Sequence, residues 1–165
     1  MNGRRLFHKN PISVVSLDPR QLKIGQKFIY RETYQKLLEE VPDIFKHFHI
    51  GNGNSLGSLG PYFAFGDTAQ GEYAMACYIP PIVEKHGSDF VIMDGIHRNF
   101  IARQAGTTVN SIVVSNVRIP FPCKIHGWED AKVIPLAEKP PKLEERYFDL
   151  NSELFRNLKY LGIDG

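Results

Sequence analysis

Residues 90–106, FVIMDGIHRNFIARQAG, form the stretch that determines the fold of this chain. The wholly apolar run 90–93 is typical of a buried strand. Asp94 and Gly95 break that run, and four apolar residues then recur at helical spacing before Gly106, where a helix commonly ends. These four are Phe100, Ile101, Ala102 and Ala105. The order predicted here is strand, tight turn, helix.

The first turn of the predicted helix has the properties of an anion site. Its backbone N–H groups have no partner within the helix, and they lie at the positive end of the helix dipole. His97 and Arg98 add two side chains that can carry positive charge. We therefore predict that Gly95, Ile96, His97 and Arg98 together bind an anionic group such as phosphate.

Each residue of this turn also has a simpler interpretation. Asp94 could cap the helix by accepting the backbone N–H of Ile96 or His97. Gly95 could serve only to permit the turn, and His97 and Arg98 could be solvated surface residues. Taken singly, the simpler roles are favoured. Taken together, polar residues grouped between a buried strand and a buried helix face favour a functional site over these simpler roles.

Composition predicts one globular domain. The chain has 165 residues, of which 42% are hydrophobic and 23% charged, and both values are ordinary. The net charge of +2 gives little support to DNA binding. No apolar run approaches the roughly 20 residues of a membrane span, and the N-terminus lacks a secretory h-region. We expect a cytoplasmic protein without a membrane partner, in which Cys77 and Cys123 form no disulfide framework.

The first third of the chain predicts one strand and two helices. Residues 12–17, ISVVSL, are typical of a strand, and residues 20–31 are predicted to be loop. An apolar stripe predicts a helix over 32–41, which Pro42 should end or kink. A further short helix is predicted over 43–48.

The middle of the chain predicts a hairpin that leads into the motif. The Gly-, Asn- and Ser-rich residues 51–60 predict either a surface loop or a lid over a ligand. A strand is predicted over 73–79. Residues 82–84 should pair with 90–93 across a short turn, and another strand is predicted over 112–117.

The last part, residues 120–165, predicts a proline-rich extension and a terminal helix. Residues 120–142 should wrap the domain without regular structure, with Trp128 as an apolar anchor. The helix should be capped by Asn151 or Ser152 and end before Gly162. Strands and helices in this order predict an α+β fold.

The motif DGIHR at 94–98 resembles the signature of the ParB/sulfiredoxin superfamily, in which a strand, a short turn and a helix bind nucleotide phosphates. Its form Asp-Gly-x-His-Arg is closest to that of the free-serine kinases in this superfamily. Residues 12–19, 80–83 and 108–117 are similar to the flanking family strands. The resemblance implies a compact ParB/sulfiredoxin-like domain with a small mixed sheet and flanking helices.

The resemblance also implies a function, namely phosphoryl transfer or nucleotide hydrolysis with ATP or ADP and Mg²⁺. Asp94 would hold the metal, while Gly95, Ile96, His97 and Arg98 would bind the phosphates. Glu32, Asp94 and His97 would be catalytic, with Glu32 as base for a small-molecule acceptor. A glutamate in a first helical turn also simply complements the dipole, so that role of Glu32 stays open.

Ile96 departs from two branches of the superfamily. It stands where sulfiredoxins carry a reactive cysteine, so peroxiredoxin repair is not expected. It also stands where the serine kinases carry histidine, which leaves the amino-acid substrate open. The alternatives are a ParB-like module that binds or cuts DNA, and a catalytically inert interaction domain.

Overall fold

The computed structural model describes residues 10–47, 62–67, 71 and 73–156. Eight strands and three α-helices lie in these residues. In chain order they are β1 Ile12–Leu17, β2 Phe28–Tyr30, α1 Arg31–His47, β3 Tyr62–Asp67, β4 Tyr73–Tyr78, β5 Ile82–His86, β6 Asp89–Asp94, α2 Ile96–Gln104, β7 Val109–Val114, β8 Lys132–Ile134 and α3 Leu143–Arg146.

The central sheet is small and mixed. Its strand order is β1-β7-β5-β6, with β7 parallel to β5 and the two outer pairings antiparallel. Two further pairs lie outside it, the parallel pair β2–β8 and the antiparallel hairpin β3–β4. The predicted α+β class, with a small mixed sheet and few helices, is confirmed.

The main hydrophobic core contains seven buried side chains from the sheet, from α2 and from segments that cross it. They are Leu22, Ile24, Ile29, Val83, Ile92, Ile96 and Trp128. The indole N–H of Trp128 donates to the carbonyl of Pro19 at 2.7 Å, which satisfies the polar atom of this buried ring. Trp128 is therefore the anchor that its sequence position predicts.

The hairpin that delivers the motif forms as predicted. β5 pairs with β6 so that Val83 lies opposite Ile92. Strand β1 spans 12–17 as predicted, and β4 ends one residue before the predicted limit of 79. β7 spans 109–114 instead of 112–117, and its end precedes Asn116, which adopts a left-handed conformation with φ of 56°. Within the described residues, no helix is long and apolar enough to span a membrane.

Helix α1 differs from its prediction at both ends. It begins at Arg31 and continues through Pro42 to His47, so the predicted break and the separate second helix are wrong. Proline fixes φ near the helical value and removes one hydrogen bond, so a helix stabilised elsewhere can pass through it. Phe48 and the predicted lid or loop 51–60 lie outside the described residues.

Two segments predicted to be irregular pair with each other. Residues 20–31 contain β2, and residues 120–142 contain β8, and these strands align in parallel with Phe28 opposite Lys132. Each strand has only three residues, which is too few to show an alternating pattern. Their pairing brings the proline-rich segment to the start of α1.

The predicted terminal helix does not begin at its cap. The side chain of Asn151 accepts a backbone N–H, as expected, but residues 152–154 form only a 3-10 turn. Phe155 is then extended, with φ of −61° and ψ of 131°. The next residue, Arg156, enters the interior instead of continuing a helix. The rest of the prediction, residues 157–165, lies outside the described part.

A buried ion pair fixes this end of the chain to the central sheet. Arg156 Nε lies 3.0 Å from Glu84 Oε1 on β5, and the two side chains are 1% and 0% exposed. His86 Nε2 lies 2.6 Å from the other oxygen, Oε2. The guanidinium also donates to the carbonyls of Pro120, at 2.9 Å, and Leu154, at 2.6 Å. Burial of two charges is tolerated because nearly every polar atom is paired.

Substitution of Arg156 by methionine should destabilise the fold strongly. The Glu84 carboxylate would stay buried without its main partner, at a cost of about 3–5 kcal/mol. Urea unfolding followed by circular dichroism measures the loss. Arg20→Met, which removes an exposed pair with Asp18, is the matched control and should be almost neutral. Equal effects of the two substitutions would contradict a structural role for the buried pair.

Candidate functional site

The motif turn follows an irregularity at the end of β6. Asp94 lies opposite Ile82 and Ile92 opposite Val83, so Met93 is an extra residue in the ladder. Such bulges bend a strand and redirect the side chains after it. Gly95 comes next, with φ of 84° and ψ of 30°, and it is the N-cap residue of α2. The interpretation of Asp94 as the helix cap is therefore wrong.

Gly95 is required by space as well as by backbone conformation. A Cβ atom at this position would lie 2.8 Å from Pro81 Cβ and 2.9 Å from Arg98 Nη2. Real Cβ atoms do not approach carbon so closely, and a left-handed conformation is already unfavourable for other residues. The close contact with Pro81, the residue before β5, holds the start of α2 against the start of that strand.

Arg98 is fixed by three contacts around this turn. Its Nη2 donates to Asp94 Oδ2 at 2.7 Å, and its Nη1 donates to the carbonyl of Ile79. The guanidinium carbon lies 5.7 Å from the ring centroid of Tyr78, within cation–π range. The side chain therefore joins α2 to β6 and to the end of β4, and Asp94 largely neutralises its charge.

The first turn of α2 leaves three backbone donors open. The N–H of Asn99 donates to the carbonyl of Gly95 at 3.0 Å, which is the first bond of the helix. The N–H groups of Ile96, His97 and Arg98 have no acceptor among the described residues, and Gly95 has no side chain to supply one. Uncapped N–H groups at the positive end of a helix are suited to bind an anion.

Asn99 is a polar residue of this turn that sequence reasoning missed. Its side chain is fully buried, and Nδ2 donates to the carbonyl of Gly95 at 3.0 Å. Within the described part of the chain, Oδ1 has no hydrogen-bond partner. Helical spacing could have indicated that Asn99 is buried, because it lies three residues after the apolar Ile96 and therefore on the same face of α2. The amide reinforces the Gly95 turn from the core side.

His97 is held as a neutral imidazole. Its Nε2 accepts the backbone N–H of Tyr30 at 3.0 Å, so the ring proton resides on Nδ1. Burial lowers the pKa of His97 from 6.5 to about 4; Asp94 opposes this shift, and the charges of Lys139 and Arg98 reinforce it. The sequence suggested a side chain that can carry positive charge. In this structure His97 is a hydrogen-bonding group without charge at neutral pH.

Glu32 lies two residues beyond Tyr30, at the start of α1. Its Oε2 accepts the backbone N–H of Leu136 at 2.6 Å, and this bond is the main cause that lowers the carboxyl pKa. No hydrogen bond or ion pair among the described residues joins Glu32 to Asp94 or His97. The structure thus brings Asp94, His97 and Arg98 together at one turn and gives Glu32 a bond to a neighbouring loop.

Lys139 is a second residue near the turn that sequence reasoning missed. Its Nζ lies 5.4 Å from the ring centroid of Tyr30, the residue whose N–H holds His97. The side chain is exposed, and its charge contributes to the low pKa of His97. Nothing in the sequence near Lys139 indicates this position, which the pairing of β2 with β8 creates.

The single carboxylate of this turn, Asp94, does not form a metal site on its own. Among the described residues there is no group of three or more His, Cys, Asp or Glu side chains that could hold a metal ion. Asp94 is the carboxylate of the turn, and its Oδ2 is bound to Arg98. The role of Asp94 as a magnesium ligand remains a prediction.

Substitution of Gly95 by alanine should cost more stability than the same change at Gly106. Both residues have positive φ, of 84° and 65°, but a Cβ at Gly106 would meet nothing within 4 Å. Gly106→Ala should therefore cost about 1 kcal/mol, from backbone strain alone. Gly95→Ala should cost at least about 2 kcal/mol, because Pro81 must also move. Urea unfolding would contradict the account if both changes cost the same.

The low pKa of His97 should be visible as a pH dependence of stability. Between pH 6.5 and about 4 the unfolded chain binds a proton at this residue and the folded protein does not. The free energy of unfolding is therefore unaffected by this titration above pH 6.5 and decreases as the pH is lowered toward about 4. His97→Gln should flatten the stability curve in that window, as measured by urea unfolding at several pH values. An unchanged slope would show that His97 titrates normally in the folded protein.

Comparisons with known proteins add no further assignment. No protein-family model matches this chain. No curated protein and no solved structure matches it either. The similarity of residues 94–98 to the ParB/sulfiredoxin signature therefore remains a prediction that depends on those residues and their turn geometry.

Proposed function

We propose that the first turn of α2 binds the phosphate groups of a nucleotide, ATP or ADP, within a ParB/sulfiredoxin-like cytoplasmic domain. The observation that carries this proposal is the set of three N–H groups, of Ile96, His97 and Arg98, that have no acceptor in the described structure. They lie at a helix start whose N-cap is glycine. A phosphate oxygen would supply the acceptors that a capping side chain normally provides.

The charges around the turn support an anionic ligand. Asp94 and Arg98 form one ion pair and contribute −1 and +1, while the low pKa of His97 leaves that ring uncharged. Lys139 contributes a further +1, so the sum over these four residues is +1. The helix dipole adds to this positive field. A phosphate group therefore meets favourable electrostatics without displacing the ion pair.

The proposal assigns distinct parts to the side chains. The backbone N–H groups and Lys139 bind phosphate, and Nδ1–H of His97 is a neutral donor for the same ligand. Arg98 positions the turn through Asp94 and Ile79, and it becomes a direct ligand only if its ion pair opens. Binding in this way restricts the phosphate chain, which is the main requirement of phosphoryl transfer.

The proposal includes a chemical step, transfer of a phosphoryl group from the bound nucleotide. Transfer of a phosphoryl group to a small molecule, or to water, needs a base and charge neutralisation. Glu32 would have to leave the N–H of Leu136 to act as that base. Mg²⁺ would accompany the nucleotide; Asp94 would hold it, and the ion would neutralise charge on the phosphates.

Thermal and urea unfolding with ATP, ADP, inorganic pyrophosphate and no ligand tests this proposal. A nucleotide at about 100 times its dissociation constant should add about 2.7 kcal/mol to the stability. Lys139→Ala should weaken binding about fivefold, because it removes a positive charge that forms no ion pair within the described residues. Lys132→Ala removes an exposed lysine of β8 and is the matched control, with wild-type affinity expected.

Absence of stabilisation by any of these ligands at millimolar concentration would contradict the proposal. Binding of DNA that weakens linearly in log affinity against log salt would instead support the ParB-like DNA module. If neither class of ligand binds, the inert interaction domain becomes the better account.

A further inference from the structure

Strand β1 is an outer strand of the central sheet, and its side chains are largely exposed. It pairs with β7 on one side, and no described segment pairs with it on the other. Ile12 is 60% exposed and Val14 50% exposed. Soluble proteins usually protect such an edge with lysine, proline or a bulge within the strand. The sequence of β1, ISVVSL, contains none of these.

The hydrogen bonds to β7 determine which groups point outward. The N–H of Ser115 donates to the carbonyl of Pro11 at 2.9 Å, and these residues are opposite each other in the register. Hydrogen-bonded pairs alternate along an antiparallel ladder, so Ser13, Val15 and Leu17 also bond to β7. The N–H and C=O groups of Ile12, Val14 and Ser16 therefore point toward the open side.

A second copy of the same strand matches this row of groups. When a two-fold axis perpendicular to the sheet relates two antiparallel strands, each side chain stays on the same face of the sheet. Even-numbered residues therefore lie opposite even-numbered residues, and odd-numbered residues opposite odd-numbered ones. Centring the axis on Val14 places Val14 opposite Val14 and Ile12 opposite Ser16. All residues that face outward then meet partners that face outward, which gives three pairs and about six backbone hydrogen bonds.

The side chains of this arrangement are also compatible. β1 carries no charged residue, so no like charges meet across the axis. Ile12 and Val14 lie on the same sheet face as Ile112 and Val114 of β7, which belong to a small apolar cluster. Pairing would extend that cluster across the two copies and cover apolar surface that is exposed in one chain.

We propose that two copies of this chain associate through β1, antiparallel and two-fold symmetric about Val14, to form one continuous eight-stranded sheet. This inference is independent of nucleotide binding, since it uses the opposite edge of the sheet from β6. Closed two-fold pairing of this kind also removes the edge from further association.

Sedimentation equilibrium of the wild-type chain and of variants at Val14 tests the proposal. The wild type should show a monomer–dimer equilibrium. Val14→Lys and Val14→Glu each place two like charges opposite one another at the axis and should raise the dissociation constant at least about tenfold. An equal mixture of the two variants should restore dimers, because opposite charges then meet. Circular dichroism checks that each variant stays folded.

Val15→Lys is the matched control on the same strand. Val15 lies on the other face and is opposite Ser13 in the proposed register, so the two lysines are separated and the dimer should persist. A wild type that stays monomeric at about 1 mM, where even weak association is detected, would overturn the proposal. Equal weakening by Val15→Lys and Val14→Lys, or failure of the Lys and Glu variants to combine, would overturn it as well.

Discussion

Gly95 lies against Pro81 with a positive φ, and the position of α2 depends on this contact. A larger residue would meet Pro81 Cβ at 2.8 Å and Arg98 Nη2 at 2.9 Å. The carbonyl of Gly95 in turn receives both the backbone and the side-chain amide of Asn99. One residue without a side chain therefore connects the end of β6, the Pro81 segment and the first turn of the helix, and leaves that turn without a cap.

Two polar side chains of the turn are held by neighbours from other elements. Arg98 is held by Asp94 and by the carbonyl of Ile79, and His97 by the N–H of Tyr30. These bonds fix the side chains in the free protein, which would lower the entropic cost of binding the proposed phosphate ligand. Among the described residues, the backbone N–H donors of the turn have no acceptor, and Lys139 supplies a positive charge near them.

The local parts of this site could be predicted from sequence because they depend on residues close together in the chain. The strand, the turn at Gly95 and the helix all lie within residues 89–104. The hairpin with β5 follows from two adjacent apolar runs. The start of the helix directly after Gly95 agrees with the sequence prediction, whereas Asp94 does not cap the helix and His97 carries no charge at neutral pH.

The missed features depend on contacts between distant segments. Lys139 reaches Tyr30 because two three-residue strands pair, and neither strand shows a pattern. The predicted terminal helix does not continue through Arg156, because Glu84, 72 residues away, binds Arg156 in the interior. The neutral state of His97 likewise follows from burial and from the N–H of Tyr30. Sequence spacing carries no information about such partners.

The central claim is that the open N–H groups of the α2 turn bind phosphate. The most direct measurement is a titration of the ¹⁵N-labelled protein with ATP and with inorganic pyrophosphate, followed through the backbone amide resonances. The account predicts that the amides of Ile96, His97 and Arg98 shift together and saturate with both ligands, while those of β1 do not move. Saturable binding that leaves these three amides unchanged would contradict it.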